Sequence, residues 1–282
     1  MPGVPLPRDV NLLFLKESSM HTFLREADNG FVPPSSADFD FAPIFGNSIL
    51  FTKPVLMVFL SVVIAATFFI ASSRKAAIVP SKLQYAGESI YTFIRNELGR
   101  DVIGPEFMRF VPFLFSLFVF ILVNNVFGVI PLLQFPTMSH IGFPIGVTIF
   151  SYVCYHYVAI KKHGLGKYLK DICFMPGIPK PVYLILTPVE LLTYLVTRPL
   201  TLSMRLFANM FAGHTLLNIL AGFSIMLFPG VTFIGFFPWL GSIIPLVVVF
   251  AVMGLELGIA FLQAYVFTIL TCLYLNDALV LH

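Results

Sequence analysis

The sequence predicts an all-α integral membrane protein: three conventional transmembrane spans, an interfacial helix, and two long, strongly tilted or near-horizontal membrane helices forming a hairpin. Three observations predict it. Of the 282 residues, 58% are hydrophobic and 11% are charged, where an average soluble domain is about 25% charged. Uncharged apolar runs recur at lengths that suit about 30 Å of hydrocarbon. The Lys and Arg residues gather in particular connections between those runs rather than spreading along the chain. Mean hydropathy is +0.91, and the 32 Phe residues suit helices that face lipid and one another.

Residues 1–50 mix Pro, Ser, Asp and Phe without a period and read as a polar extra-cytoplasmic arm, with residues 51–282 forming the membrane domain. Neither a secretory signal nor a transit peptide is indicated, because the early apolar run Val10–Leu15 is broken by Asn11 and acidic residues accompany Arg8 and Arg25. The first span is expected at about 54–72, charge-free between Lys53 and Arg74. Residues 74–109 alternate charges with apolar residues, which suits a surface helix ending near Gly99. The second and third spans are expected at about 110–133 and 141–160.

The connection at 134–140 has no Lys or Arg, whereas Lys161, Lys162, Lys167, Lys170 and Lys180 follow the third span. By the positive-inside rule, 74–109 and 161–180 then face the cytoplasm or matrix. Two further apolar segments, about 183–228 and 239–275, flank a Pro- and Gly-bearing stretch. At 1.5 Å per residue, a helix of about 35 residues is about 50 Å long and must tilt, kink or lie flat. Pro188, Pro199 and Pro245 are the expected kink positions.

Few residues in this last region are ionisable: Glu190, Arg198, Arg205, His214 and Glu256 between Pro181 and Leu275. Arg205 dominates them, since a guanidinium stays charged at any ordinary pH and costs about 2.5–3.5 kcal/mol at membrane depth. Helical spacing puts Arg198, Arg205 and Asn209 on one face and turns His214 about 180° away. Glu256 and Gln263 share a face of the last helix, and the Gly254-x-x-x-Gly258 pattern around Glu256 permits a close helix neighbour. An antiparallel pair of these helices could bring Glu256 near His214.

The run from Arg198 through Arg205-Leu-Phe-Ala-Asn209-Met-Phe-Ala-Gly-His214, with Glu256-Leu-Gly-Ile-Ala-Phe-Leu-Gln263 and the Tyr-Leu-Asn-Asp ending, resembles subunit a of the F-type ATP synthases. The resemblance spans about 230 residues and leaves out the N-terminal arm. It implies a proton-translocating stator that forms two aqueous half-channels to a rotating c ring and couples proton flow to ATP synthesis. By that resemblance Arg205 matches the stator arginine that faces each passing c-ring carboxylate. Asn209 and Gln263 match polar residues near that arginine, and His214 and Glu256 a polar pair of one half-channel. Glu190 matches a carboxylate of the other, although its nine-residue spacing to Pro199 differs by one from that in some members. The implied partners are the c ring, the peripheral stalk subunit b, the other ATP synthase subunits and the lipid bilayer. The implied location is a bacterial plasma membrane, with the mitochondrial inner membrane as the alternative.

Other readings stand beside these. A proton-coupled secondary transporter of an anionic substrate would use Arg205 and Glu256, but it calls for an internal repeat, and none is visible. A non-transporting scaffold would leave the buried ionisable residues without purpose. Arg198 is equally an interfacial anchor, and Asn124 and Asn125 in the second span read as helix glue. His140, His156 and His163 read as span-end or loop residues without chemistry. No cofactor or metal site is indicated: Cys154, Cys173 and Cys272 are scattered packing residues. Gly164-Leu-Gly166-Lys167 lacks the spacing of a phosphate loop, so ATP chemistry is assigned to partners. A net charge of +3 gives no reason to expect a nucleic-acid partner.

Overall fold

The structure, a computed structural model, describes residues 53–74, 77, 79–130, 137–168, 183–226 and 238–280. The arm at 1–50 and the Lys-bearing stretch after 168 therefore lie outside the described residues. Helix α1 spans Lys53–Ser73, α3 Val111–Val129 and α4 Gly142–His163. Helix α2, Lys82–Phe93, lies between α1 and α3. Beyond α4 come α5 (Tyr183–Leu192), α6 (Arg198–Met226) and α7 (Pro238–Leu279). Among the described residues four helical stretches are long and apolar enough to cross a membrane: Pro54–Ser73, Val111–Val129, Gly142–His163 and Leu246–Leu279. The 42 residues of α7 would extend about 63 Å at 1.5 Å each, about twice the thickness of a bilayer core.

Gly99 does not end the interfacial helix. The chain continues from α2 through a π-helical segment, Ile94–Arg100, and a last turn, Asp101–Ile103. It stops at Gly104, whose φ of 78° lies in the left-handed region that glycine adopts at low cost. Gly99 is needed for packing instead: a Cβ there would stand 3.3 Å from the Phe107 ring and 3.4 Å from Val111. Ser81 caps the start of α2 by accepting from the Gln84 N–H.

A second π turn, Thr193–Thr197, joins α5 to α6, with the Arg198 N–H bonded to the Thr193 carbonyl five residues back. Pro199 explains its position. Proline has no N–H and its ring collides with the carbonyl four residues earlier, here Leu195, so the helix widens where an α turn cannot close. A turn closed by an i to i+5 bond also holds one residue more than an α turn.

The chain divides into two compact units. The larger, Pro54–His214 with Gly254–His282, holds α1 to α5, the first half of α6 and the second half of α7. Its core includes Leu98, Leu114, Phe118, Ile121, Leu206, Phe267 and Leu275, all fully or nearly fully buried. Within it α6 and α7 run antiparallel, since Arg198 meets Asp277 at one end and Gly213 meets Glu256 at the other. The smaller unit includes the remaining parts of the same two helices, Thr215–Met226 and Pro238–Met253. There Leu216, Ile243, Leu246, Val247 and Phe250 expose apolar side chains, as a lipid solvent permits.

Polar side chains tie the spans of the larger unit together. Asn124, fully buried on α3, donates to Ser61 Oγ of α1 at 2.9 Å and accepts from Thr137 Oγ1 at 3.0 Å. Asn125 reaches α7, donating to the Ala260 carbonyl at 3.4 Å. Both act as the interhelical glue expected of them.

Candidate functional site

Helix α6 has two chemically different faces. Leu202, Ser203, Leu206, Met210 and His214 are buried, whereas Thr201, Met204, Arg205, Ala208 and Ala212 are exposed. At about 100° per residue, Thr201, Arg205, Ala208 and Ala212 make one stripe in which Arg205 is the only long side chain. His214 is 5% exposed and points away from that stripe, as the nine-residue spacing predicts. Among the described residues the ion pairs are Lys162–Glu106 and Arg198–Asp277, so Arg205 is not neutralised by Glu190.

Glu256 approaches His214 from α7. Its carboxylate lies over the Cα of Gly213, where any Cβ would be 3.1 Å from Glu256 Cδ and closer still to Oε1. The His214 ring rests on α3, with Nε2 only 3.2 Å from where a Cβ on Gly128 would sit. Asn209, His214 and Glu256 line a cavity of about 30 Å3 together with Gly128, Gly213 and Ala260. A void needs about 10–15 Å3 to admit a water, so this one accommodates about two. His214 Nε2 and Glu256 Oε1 are both buried without a hydrogen-bond partner, which is the situation ordered water relieves.

Glu256 and His214 thus line one cavity, each packed over a bare glycine backbone, but the expected glycines are not the ones that allow it. No described atom lies within 4 Å of a Cβ built on Gly254 or Gly258. The reason is geometric: residues two apart on a helix are about 200° apart, so Glu256 facing α6 turns both glycines outward. Gly128 and Gly213 provide the close approach. Only the apposition of three helices distinguishes them from other glycines in the sequence.

The remaining expected residues separate. Asn209 is half-buried and turns toward the cavity although it lies one turn from Arg205. Gln263 is 5% exposed with Nε2 unpartnered, two turns along α7 from Glu256 and outside the cavity lining. Glu190 sits half-buried on α5, one turn before Tyr194, and is not brought to the Glu256 cavity. Arg198 is held: its guanidinium stacks 3.8 Å from the Tyr194 ring and 4.8 Å from the Tyr274 ring, and donates to Asp277 Oδ2 at 3.3 Å. His156 is not at a span end but inside α4, packed 4.0 Å from Tyr152. His163 lies 3.3 Å from the Leu279 carbonyl, joining the C-terminal ends of α4 and α7. Cys154 and Cys272 are free thiols, and Cys173 lies outside the described residues.

These features define a multi-pass α-helical membrane protein that keeps ionisable side chains on its long apolar helices, one on an outer helix face and a pair around a polar cavity. The family model described as ATP synthase A chain matches residues 55–276. ATP synthase subunit a of a Nocardioides species is 44% identical over 265 residues, covering 89% of this chain and 94% of the relative. The subunit a of Pseudarthrobacter chlorophenolicus is 42% identical, covering 89% and 95%. That of Rhodospirillum rubrum is 40% identical, covering 85% and 93%. The chain belongs to the ATP synthase subunit a family, the proton-translocating stator subunit of F-type ATP synthases. It is a component of the ATP synthase complex and associates with the other subunits of that complex.

Proposed function

We propose that this chain guides protons through two offset half-channels to the c ring, with Arg205 as the barrier between them and no phosphoryl chemistry of its own. One observation carries the reading: Arg205 stands alone on the exposed stripe of α6, while Glu256 and His214 share a hydratable cavity against the opposite side of the same helix. The exposed stripe is the side available to a c-ring helix, and the small residues Thr201, Ala208 and Ala212 let that helix come close to the guanidinium.

A c-ring carboxylate must be neutral while it crosses lipid, because an unpaired charge there costs several kcal/mol. Arg205 favours the ionised form of a carboxylate that arrives beside it and repels a proton that would pass straight through. Glu256, His214 and Asn209 supply the polar lining of one half-channel. Gln263 stabilises the Arg205 region, and Glu190 serves the other half-channel. The peripheral stalk subunit b holds the chain against the turning ring. The membrane is a bacterial plasma membrane, since the relatives named are bacterial. Family membership also favours this reading over an anion transporter.

ATP-driven proton pumping in inverted vesicles carrying Arg205→Ala tests the proposal, after assembly of the whole complex is verified. Pumping is lost, and a passive leak appears once the catalytic head is removed. Undiminished pumping in an assembled complex would sink the barrier role. The channel pair is tested separately: His214→Glu combined with Glu256→His retains more pumping than either change alone, and equal loss in all three variants breaks the coupling.

A further inference from the structure

Helix α4 carries an apolar stripe that ends in charge. Phe150, Val153, Tyr157 and Lys161 recur at three- and four-residue spacing and so share one face of the helix. Phe150, Val153 and Tyr157 are 60%, 58% and 63% exposed, so no described part of the chain covers them. Lys161 Nζ lies over the Tyr157 ring, 5.8 Å from its centre. The stripe borders α3, because the Phe150 ring packs 6.1 Å from that of Phe113. One turn before Phe113 stands Arg109, exposed in the short 3-10 turn Phe107–Arg109 that leads into α3.

The start of α3 and the end of α4 bring Arg109, Lys161, Lys162 and Glu106 to one rim. Lys162 is taken up by Glu106 at 2.7 Å, and Arg109 also acts on that carboxylate, more weakly. Neither Arg109 nor Lys161 enters an ion pair among the described residues. Three cations against one carboxylate leave the rim with two positive charges in excess. We propose that this face binds an anionic phospholipid, its phosphodiester held by Arg109 and Lys161 and an acyl chain lying along Phe113, Phe150, Val153 and Tyr157.

Charge and length both fit that occupant. Phe150 and Lys161 are eleven residues apart, about 17 Å along the axis, close to the 15 Å or so that one leaflet adds to the hydrocarbon core. The stripe therefore matches one acyl chain, and its charged end falls at headgroup level. A guanidinium offers a phosphate two parallel N–H donors, and a lysine beside it adds a second charge on a stem that can reach the headgroup. Tyr157 suits the boundary, with its ring against the chain and its hydroxyl toward water. A soluble anion would make no use of the stripe, and a lipid without net charge would leave the excess positive charge unbalanced. The face belongs to α3 and α4, so none of the residues assigned to the proton path lies on it.

The test uses the assembled ATP synthase complex in phosphatidylcholine vesicles that contain a minority of phosphatidylglycerol, with the lipids retained after extraction counted by native mass spectrometry. The wild type is expected to keep phosphatidylglycerol in preference to phosphatidylcholine. Arg109→Gln with Lys161→Gln lowers that retention by about fivefold for each charge removed and leaves phosphatidylcholine unchanged. Glu106→Gln acts in the opposite direction, because it frees Lys162 and raises retention. Wild-type retention in the double variant, or no gain in Glu106→Gln, overturns the proposal whatever the fate of the proton-path reading. Displacement of the lipid by inorganic phosphate at fixed ionic strength would make this a site for a free anion and overturns it too. So does a map of the complex in which a helix of another subunit covers Val153 and Tyr157.

Discussion

The Glu256 carboxylate lies directly over Gly213, with Cδ 3.1 Å from the position a Cβ would take. A carboxylate is the far end of a flexible side chain and can step aside, so the cost of a methyl group there falls on geometry more than on folding. Gly213→Ala is expected to leave assembly of the complex near normal and to reduce proton pumping several-fold, because Glu256 is displaced from the cavity it shares with His214. Gly128→Ala does the same more mildly, since its methyl would stand 3.2 Å from His214 Nε2. Pumping at the wild-type rate in an assembled Gly213→Ala complex would show that the Glu256 position is immaterial.

Gly254 and Gly258 make the contrasting case. A methyl group added at either meets no described atom within 4 Å, so this chain's own packing gives no reason for a penalty. Alanine in place of glycine inside a helix is worth about 0.5–1 kcal/mol of added stability. Both substitutions are therefore neutral to stabilising for the subunit alone. Pumping lost with the subunit intact would locate a neighbouring subunit on that face, whereas normal pumping in the complex would leave the face to lipid.

The spans and the two long helices were legible because lipid imposes a length and removes charge, and both constraints are written into runs of residues. The opposition of Arg205 and His214 was legible for a similar reason, since one helix period relates them. What was not legible depends on two or more elements meeting. Gly128 and Gly213 matter only because His214 and Glu256 arrive from other helices, and the π turn at Thr193–Thr197 leaves no periodic trace in five residues. Arg198 could be read as anchor or as functional group until Tyr194, Tyr274 and Asp277 were seen around it.

Asn124 makes a stronger claim on stability than on function. It donates to Ser61 and to the Phe120 carbonyl at 2.8 Å, and accepts from Thr137, all within the buried interior. Interhelical hydrogen bonds in membranes contribute about 0.6 kcal/mol on average and up to about 1.7. Asn124→Leu removes two of them and strands Thr137, so a loss of about 1–3 kcal/mol is expected. The measurable outcome is a lower melting midpoint with the proton-to-ATP ratio unchanged. Asn125→Leu is milder, because its bond to Ala260 is already 3.4 Å long.

At the membrane surface Glu106 meets Lys162 at 2.7 Å, and the hydrogen bond and charge of Lys162 hold the Glu106 carboxyl below the usual carboxylate range. A carboxyl lowered on folding favours the folded state above its unfolded value, and the benefit disappears as pH falls through the lowered one. The tie is therefore complete at neutral pH, unchanged on going to pH 8, and lost only in acid below the ordinary glutamate range. Both groups are exposed, so salt weakens it. Solid-state NMR of the labelled Glu106 carboxyl carbon checks this. Lys162→Ala is expected to return its titration toward the ordinary value, and an unmoved titration would remove Lys162 as the cause.

Arg198 should not tolerate lysine as a simple exchange of charge. Its planar guanidinium stacks at 3.8 Å on Tyr194 of the π turn and at 4.8 Å on Tyr274 of α7, while its edge reaches Asp277. An ammonium keeps the charge but loses the flat face and the fork. Cation–π contacts are worth about 0.5–2 kcal/mol each, more when desolvated, and the Arg198 side chain is 19% exposed. Arg198→Lys is expected to lower the melting midpoint of the complex and to reduce pumping partially, because α6 loses the clamp that fixes its rotation and with it the direction of Arg205. Asp277→Asn removes only the half-exposed partner and should matter less. If Arg198→Lys melts and pumps like the wild type while Arg198→Met does neither, charge alone holds this end of the helix and the stacking is incidental.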